Sequence, residues 1–354
     1  MKTKWKVQAF LPLAIAFSLA GCQLDFSEYI QSAPQQIAAD VVFYKDVKYT
    51  GLDDQDRMFD VFVPKSCEGH CPWVFYIHGG GFTSGERQTV YQSSDTLPAV
   101  NELLSSGIAV ATISYRKLDV DNIELEGLLK PLTDIKDGFQ ALRGAAISIG
   151  LAPNNTVLIG ESAGAGAALW LGYQDDMADA NDTSTVAAGI STRVQGAVLY
   201  STQATYDLLH WNSDVMPGAK NAVFAGGYMW EINKLLQAAY GITDGYLSDA
   251  NLNSSTVTDL RASVDLISFI TNDDPEFWVE NTDPGVQFYP NSTTMTDSQK
   301  RDAFLHDPRH AEALHERANQ VGLDHSVITQ GLEGGDLSVK RHANAIAFVK
   351  SKLL

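Results

Sequence analysis

From residue 73 onward, short runs of consecutive apolar residues alternate with longer stretches whose apolar positions recur at helical spacing. The runs are Trp73–Ile77, Ile108–Ile113, Thr156–Ile159, Val194–Tyr200, Phe277–Val279 and Ser326–Thr329. An unbroken apolar run suits a strand covered on both faces, and the segments between are long enough to be the covering helices. The pattern predicts an α/β fold with a mostly parallel central sheet and helices on both faces. In such sheets ligands bind beyond the carboxyl ends of the strands. Upstream, Val41–Tyr49 and Met58–Val63 are rich in β-branched and aromatic residues and are separated by Gly51-Leu52-Asp53-Asp54. That is the pattern of an antiparallel hairpin at a sheet edge.

One interval breaks the rhythm. About seventy residues separate Tyr200 from Phe277, far more than one crossover needs. Within it Ala219–Tyr240 has helical apolar spacing and carries Tyr228, Met229 and Trp230, which predicts a helical lid insertion, 205–275, between the sixth and seventh strands. At the other end, Ala343, Ile346, Ala347, Val349, Lys350 and Leu353 recur at helical spacing, with Ser338 placed to cap a helix over 339–354.

Composition narrows the class. The 354 residues are 45% hydrophobic, enough for a large core, which excludes disorder and small disulfide scaffolds. A formal net charge of -18 repels phosphate backbones, so nucleic acid is excluded as a partner. Lys2, Lys4 and Lys6 precede an apolar stretch, Ala9–Ala20, that is too short to span a bilayer and has the form of a signal peptide. The sequence Leu19-Ala20-Gly21-Cys22 resembles the bacterial lipobox, in which the cysteine is acylated and becomes the mature N-terminus. The resemblance implies cleavage after residue 21, membrane attachment through Cys22 and, with Gln23 rather than Asp next, retention at the outer membrane of a Gram-negative bacterium. Removing residues 1–21 takes away three lysines and no acid, so the mature chain is more acidic still and needs its lipid to stay at a membrane. Residues 22–39 are polar and read as a tether, with the folded domain running over 40–354.

With Cys22 acylated, Cys67 and Cys71 remain, four residues apart in an exported chain, and read as a local disulfide. The alternative is a zinc site using Cys67, His70 and Cys71, which has three crowded ligands and no second cluster.

The chemistry lies after two of the predicted strands. His78-Gly79-Gly80-Gly81-Phe82 follows the first, and Gly160-Glu161-Ser162-Ala163-Gly164 follows the third run. In G-x-S-x-G the serine sits on a strained strand-to-helix turn that tolerates only small neighbours. The glycine run supplies backbone N–H groups with no side chains in front of them, which a tetrahedral oxyanion needs.

In this order the motifs resemble the α/β-hydrolase superfamily, closest to bacterial carboxylesterases and hormone-sensitive-lipase-like enzymes. Ser114-Tyr115-Arg116 and Asp134-Ile135-Lys136-Asp137 fit the same arrangement. The resemblance makes Ser162 the nucleophile, Gly80, Gly81 and Ala163 the oxyanion-hole amides, and His78 a brace for the glycine loop. It also makes Asp283, in Asp283-Pro284-Gly285-Val286, the triad acid. The base departs from the family. Counting back from Phe348 lands on Gly334, leaving His342 as the assigned base and His306 as its rival. His310, His315 and His325 read as solvated positions, His210 belongs to the insertion and His70 to the cysteine loop.

The expectation is a serine hydrolase that cleaves small-molecule carboxylic esters through an acyl-enzyme, with no metal or organic cofactor implied. Phe82 and the aromatic insertion suggest an apolar acyl or aryl pocket. The alternatives are a non-catalytic binding protein on the same fold and an acyltransferase. Export together with the family resemblance implies acetyl or feruloyl groups on plant polysaccharide as the ester class.

Overall fold

The runs that are apolar on both faces become the centre of a single sheet. A computed structural model describes residues 24–50, 54–67, 69–179, 189–224, 230–243, 245–282 and 294–354. Its strands are β1 (Ile30–Gln31), β2 (Val41–Lys48), β3 (Met58–Pro64), β4 (Cys71–Ile77), β5 (Ala109–Ile113), β6 (Leu151–Glu161), β7 (Gly196–Tyr200), β8 (Phe277–Asn281), β9 (His325–Thr329) and β10 (Ser338–Val339). Their spatial order is β1-β2-β3-β5-β4-β6-β7-β8-β9-β10. From β5 through β4 to β9 every pairing is parallel, and the antiparallel pairings lie at the two ends.

Around the sheet lie α1 (Thr89–Gln92), α2 (Leu97–Ser105), α3 (Leu129–Ala145) and α4 (Ala163–Tyr173). The insertion after β7 holds α5 (Leu208–His210), α6 (Ala219–Phe224), α7 (Trp230–Ala239), α8 (Asp249–Leu252), α9 (Ser255–Ser263) and α10 (Leu266–Phe269). After β8 come α11 (Asp297–Leu305), α12 (Arg309–Val321) and α13 (Ala345–Leu353). Strand alternation divides the core in two. Trp73, Phe75 and Ile77 pack with α3, α4 and α12 on one face, while Val74, Val110, Val157 and Val198 pack with α2 and α13 on the other. The fold is the predicted mostly parallel sheet with helices on both sides.

Small residues set how closely α4 approaches the sheet. A Cβ on Gly164 would lie 2.1 Å from Ile77 O, and one on Gly160 would lie 2.2 Å from Gly164 O. The helix can therefore start directly beneath the strand end that carries Ser162.

Two local expectations are corrected. The tether over 22–39 is, where described, part of the body: Phe26 and Ile37 are buried, and β1 pairs with β2. Asn101 adds a hydrogen bond to Ala38 N–H at 2.9 Å. The apolar Phe26 finds Tyr44 and Phe59 within ring contact, which outweighs the polar composition of its neighbours. The final helix is capped by Asn344, whose side chain accepts from Ala347 N–H at 2.8 Å, while Ser338 lies in β10. The stretch 219–240 contains two helices, and Tyr228 and Met229 lie outside the described residues. Cys67 and Cys71 form the disulfide, which leaves no thiolate for the alternative zinc site.

Candidate active site

Ser162 occupies the turn between β6 and α4 with φ 52° and ψ -122°, a conformation rarely adopted by a residue with a side chain. Its N–H donates to Tyr200 O at the end of β7 at 2.8 Å, so the sheet itself holds the strained turn. Ser162 Oγ lies 2.8 Å from His306 Nε2.

The glycine loop lies against this turn. A Cβ on Gly79 would come within 3.2 Å of Ser162 Cβ and 2.8 Å of Glu161 O. Gly80 has φ +109° and Gly81 φ +60°. The Gly80 carbonyl accepts from Thr83 N and Ser84 N, both at 3.0 Å, which fixes it inside a turn. The N–H groups of Gly80, Gly81 and Ala163 donate to no described residue. Ala163 is the first residue of α4, where N–H groups have no partner within the helix and the positive end of its dipole lies.

His78 braces the loop. Its Nδ1 is 2.7 Å from Gly79 O, which requires the proton on Nδ1, and Tyr115 Oη donates to His78 O at 2.8 Å. Burial pushes its pKa down to about 4, so the ring is neutral. The far end of the loop is anchored by Arg87, which binds the fully buried Asp60 at 3.0 Å, Ser114 Oγ at 3.2 Å and Asp46. Further along the chain, Arg116 makes a two-pronged contact with Asp134 at 2.8 and 2.7 Å.

His342 is not at this site. It hydrogen-bonds Glu276 at 3.2 Å, just before the amino end of β8, and its ring packs on Phe348. Ser162 follows the carboxyl end of β6, and β6, β7 and β8 are parallel, so the two residues occupy opposite ends of the sheet. The length of β8 alone, about 16 Å, keeps them apart. The rival, His306, is instead delivered by the junction between α11 and α12. Counting back from the final helix does not reach His306, because that count places a base after the last parallel strand, whereas His306 precedes β9. Asp283 lies outside the described residues. His310 and His325, read as solvated, are buried, and Gln203, Asn281 and Tyr206 drew no notice in the sequence because isolated polar residues carry no periodic signal.

Two spaces open from Ser162. One, of ≈ 60 Å³, is walled by Phe82, Leu128, Tyr206, Trp211, Leu235 and Leu236. Tyr206 is fixed there by donating to Ala163 O at 2.7 Å. The other, of ≈ 520 Å³, is lined by Tyr76, Thr89, Glu161, Arg301, Asp302 and His306. Tyr76 Oη donates to Glu161 Oε2 at 3.2 Å within it.

The family model described as BD-FAE matches residues 59–284. No curated protein sequence matches the chain. Among solved structures, a truncated carbohydrate esterase from gut microbiota aligns at TM-score 0.55 and 15% identity, over 84% of this chain and 90% of that one. Esterase B from Lactobacillus rhamnosis aligns at 0.54 and 18%, over 86% and 78%. A bifunctional GH43-CE protein from Bacteroides eggerthii aligns at 0.52 and 18%, over 86% of this chain and 36% of that one.

Proposed function

Since the chain belongs to the BD-FAE family, we propose that it is a serine hydrolase cleaving carboxylic esters, with Ser162 as nucleophile and His306 as base. The observation that carries this reading is the 2.8 Å contact of Ser162 Oγ with His306 Nε2 beside three amides that donate to no described residue. His306 takes the hydroxyl proton as Ser162 attacks the ester carbonyl. The N–H groups of Gly80, Gly81 and Ala163 stabilise the oxyanion. His306 then protonates the departing alcohol, and water releases the acid from the acyl-enzyme by the same path. Asp283 is assigned as the acid that orients His306, on its place in the sequence between the two.

The two spaces divide the substrate. His306 returns a proton to the leaving oxygen and lines the larger, more polar cleft but not the apolar pocket, so the alcohol belongs in the cleft and the acyl group in the pocket. Glu161, Tyr76 and Thr89 suit an alcohol bearing further hydroxyl groups, such as an acylated sugar. Residues Leu235, Leu236 and Ala239 of α7 wall the acyl pocket, which supports the lid role of the insertion. Export with a lipid on Cys22 at the outer membrane belongs to the same proposal and rests on the lipobox sequence.

The test is p-nitrophenyl acetate turnover by the chain starting at Gln23 and by Ser162→Ala, His306→Ala, Asp283→Asn and His342→Ala. The first two should lose on the order of 10⁴-fold or more in kcat and Asp283→Asn about as much, while His342→Ala stays within about threefold of wild type. Wild-type turnover no faster than that of Ser162→Ala would overturn the assignment.

A further inference from the structure

The segment leaving β7 touches both halves of the Ser162–His306 pair. Tyr200 O accepts the Ser162 N–H at 2.8 Å. Asn281 Oδ1 accepts the Thr202 N–H at 2.9 Å, and its Nδ2 donates to Thr202 O at 3.0 Å and to Asp307 O at 3.4 Å. Gln203 Nε2 donates to Leu305 O at 2.7 Å. The Ala204 N–H donates to His310 Nδ1 at 3.2 Å. Leu305, Asp307 and His310 bracket His306 in sequence. The same five-residue span, Tyr200–Ala204, thus holds the nucleophile's backbone and the segment that presents the base.

His310 is the member of this lattice whose chemistry is least replaceable. It has no solvent exposure, and its ring meets Trp211, a wall of the acyl pocket, edge to face at 4.5 Å. Because a backbone N–H points at Nδ1, that nitrogen must be the unprotonated one. An apolar side chain there would leave the Ala204 N–H, itself at a fully buried residue, without an acceptor. The segment would relieve this only by moving, and His306 would move with it.

We propose that His310 is a positioning residue for the Ser162–His306 pair, its Nδ1 locking the start of α12, and with it the base, to the strand exit that also holds the nucleophile. The proposal rests on the serine-hydrolase reading. Two substitutions separate the acceptor from the ring. His310→Phe keeps the ring and removes the acceptor, and His310→Asn places an amide oxygen near the position of Nδ1 without the ring.

The readouts are the rate of covalent labelling of Ser162 by a fluorophosphonate probe, kcat and KM for p-nitrophenyl acetate, and thermal unfolding. His310→Phe should lower the labelling rate and kcat tenfold or more with KM within twofold, and His310→Asn should restore both rates to within about threefold of wild type. A folded His310→Phe with wild-type kcat overturns the proposal. So does a folded His310→Asn at a tenth of the wild-type rate or less, which decides the matter if His310→Phe does not fold. Wild type labelled no faster than Ser162→Ala defeats the serine-hydrolase reading instead, and the proposal with it.

Discussion

At His78 and His310, burial drives an imidazole down to a pKa of about 4, so both rings are neutral in the folded protein at ordinary pH. In the unfolded chain they titrate near the free value of about 6.5. The unfolded state therefore binds more protons between these values, and stability is fully present above about pH 6.5 and is lost as the pH falls toward 4. Each ring contributes up to about 1.4 kcal/mol per pH unit in that window. Urea midpoints measured at pH 7, 5.5 and 4.5 should decline, and the decline should be shallower in His310→Asn, which has no ring to protonate. Equal slopes would mean that His310 titrates alike in both states. At this scale the sequence was legible where a motif fixes a residue's neighbours. Ser162 and the glycine run were found because a strained turn and bare amides demand small residues at set positions. The sequence does not rank His306 above His342, because its nearness to Ser162 depends on how two helices meet, which spacing along the chain does not encode.

Among the elements, α7 carries the consequence for specificity. It lays Leu235, Leu236 and Ala239 along the apolar pocket. It is fixed at its end by the Leu128 N–H bond to Ala239 O at 2.8 Å and along its exposed side by Lys234–Asp121 and Arg301–Glu231. Exposed pairs of this kind contribute little, so the hydrophobic wall decides its placement. A pocket of ≈ 60 Å³ is well below the roughly 150 Å³ that accommodates benzene, so acetate and butyrate esters should be turned over at least about tenfold faster than the octanoate ester. Leu235→Ala should narrow that gap by raising kcat/KM for octanoate, measured across a p-nitrophenyl ester series. An unchanged chain-length profile would remove Leu235 from the acyl wall. The central strands were legible because burial on both faces forces an unbroken apolar run. The two-residue strands β1 and β10 were not, because so few residues show no period.

For the molecule as a whole, the segment 24–39 changes what counts as the folded unit. Phe26 is buried between Tyr44 and Phe59, Ile37 joins the opposite core face, and β1 covers β2. A chain that starts at Asp40 should therefore be less stable than one that starts at Gln23. Loss of Phe26 alone is expected to cost about 3 kcal/mol, read as a lower urea midpoint. Identical midpoints would restore these residues to the role of a loose tether.

That docked segment also sets a radius of action. The buried Phe26 is four positions beyond Cys22, and a chain extends at most about 3.6 Å per residue, so a lipid on Cys22 would leave a leash of about 14 Å. The body would ride on the membrane with little freedom to swing or rise. Such an enzyme samples a thin layer of fluid above the lipid, and its encounter rate is governed by what reaches that layer. Polymers too large or too rigid to approach the surface would escape it, whereas fragments already released or drawn to the envelope would meet it repeatedly.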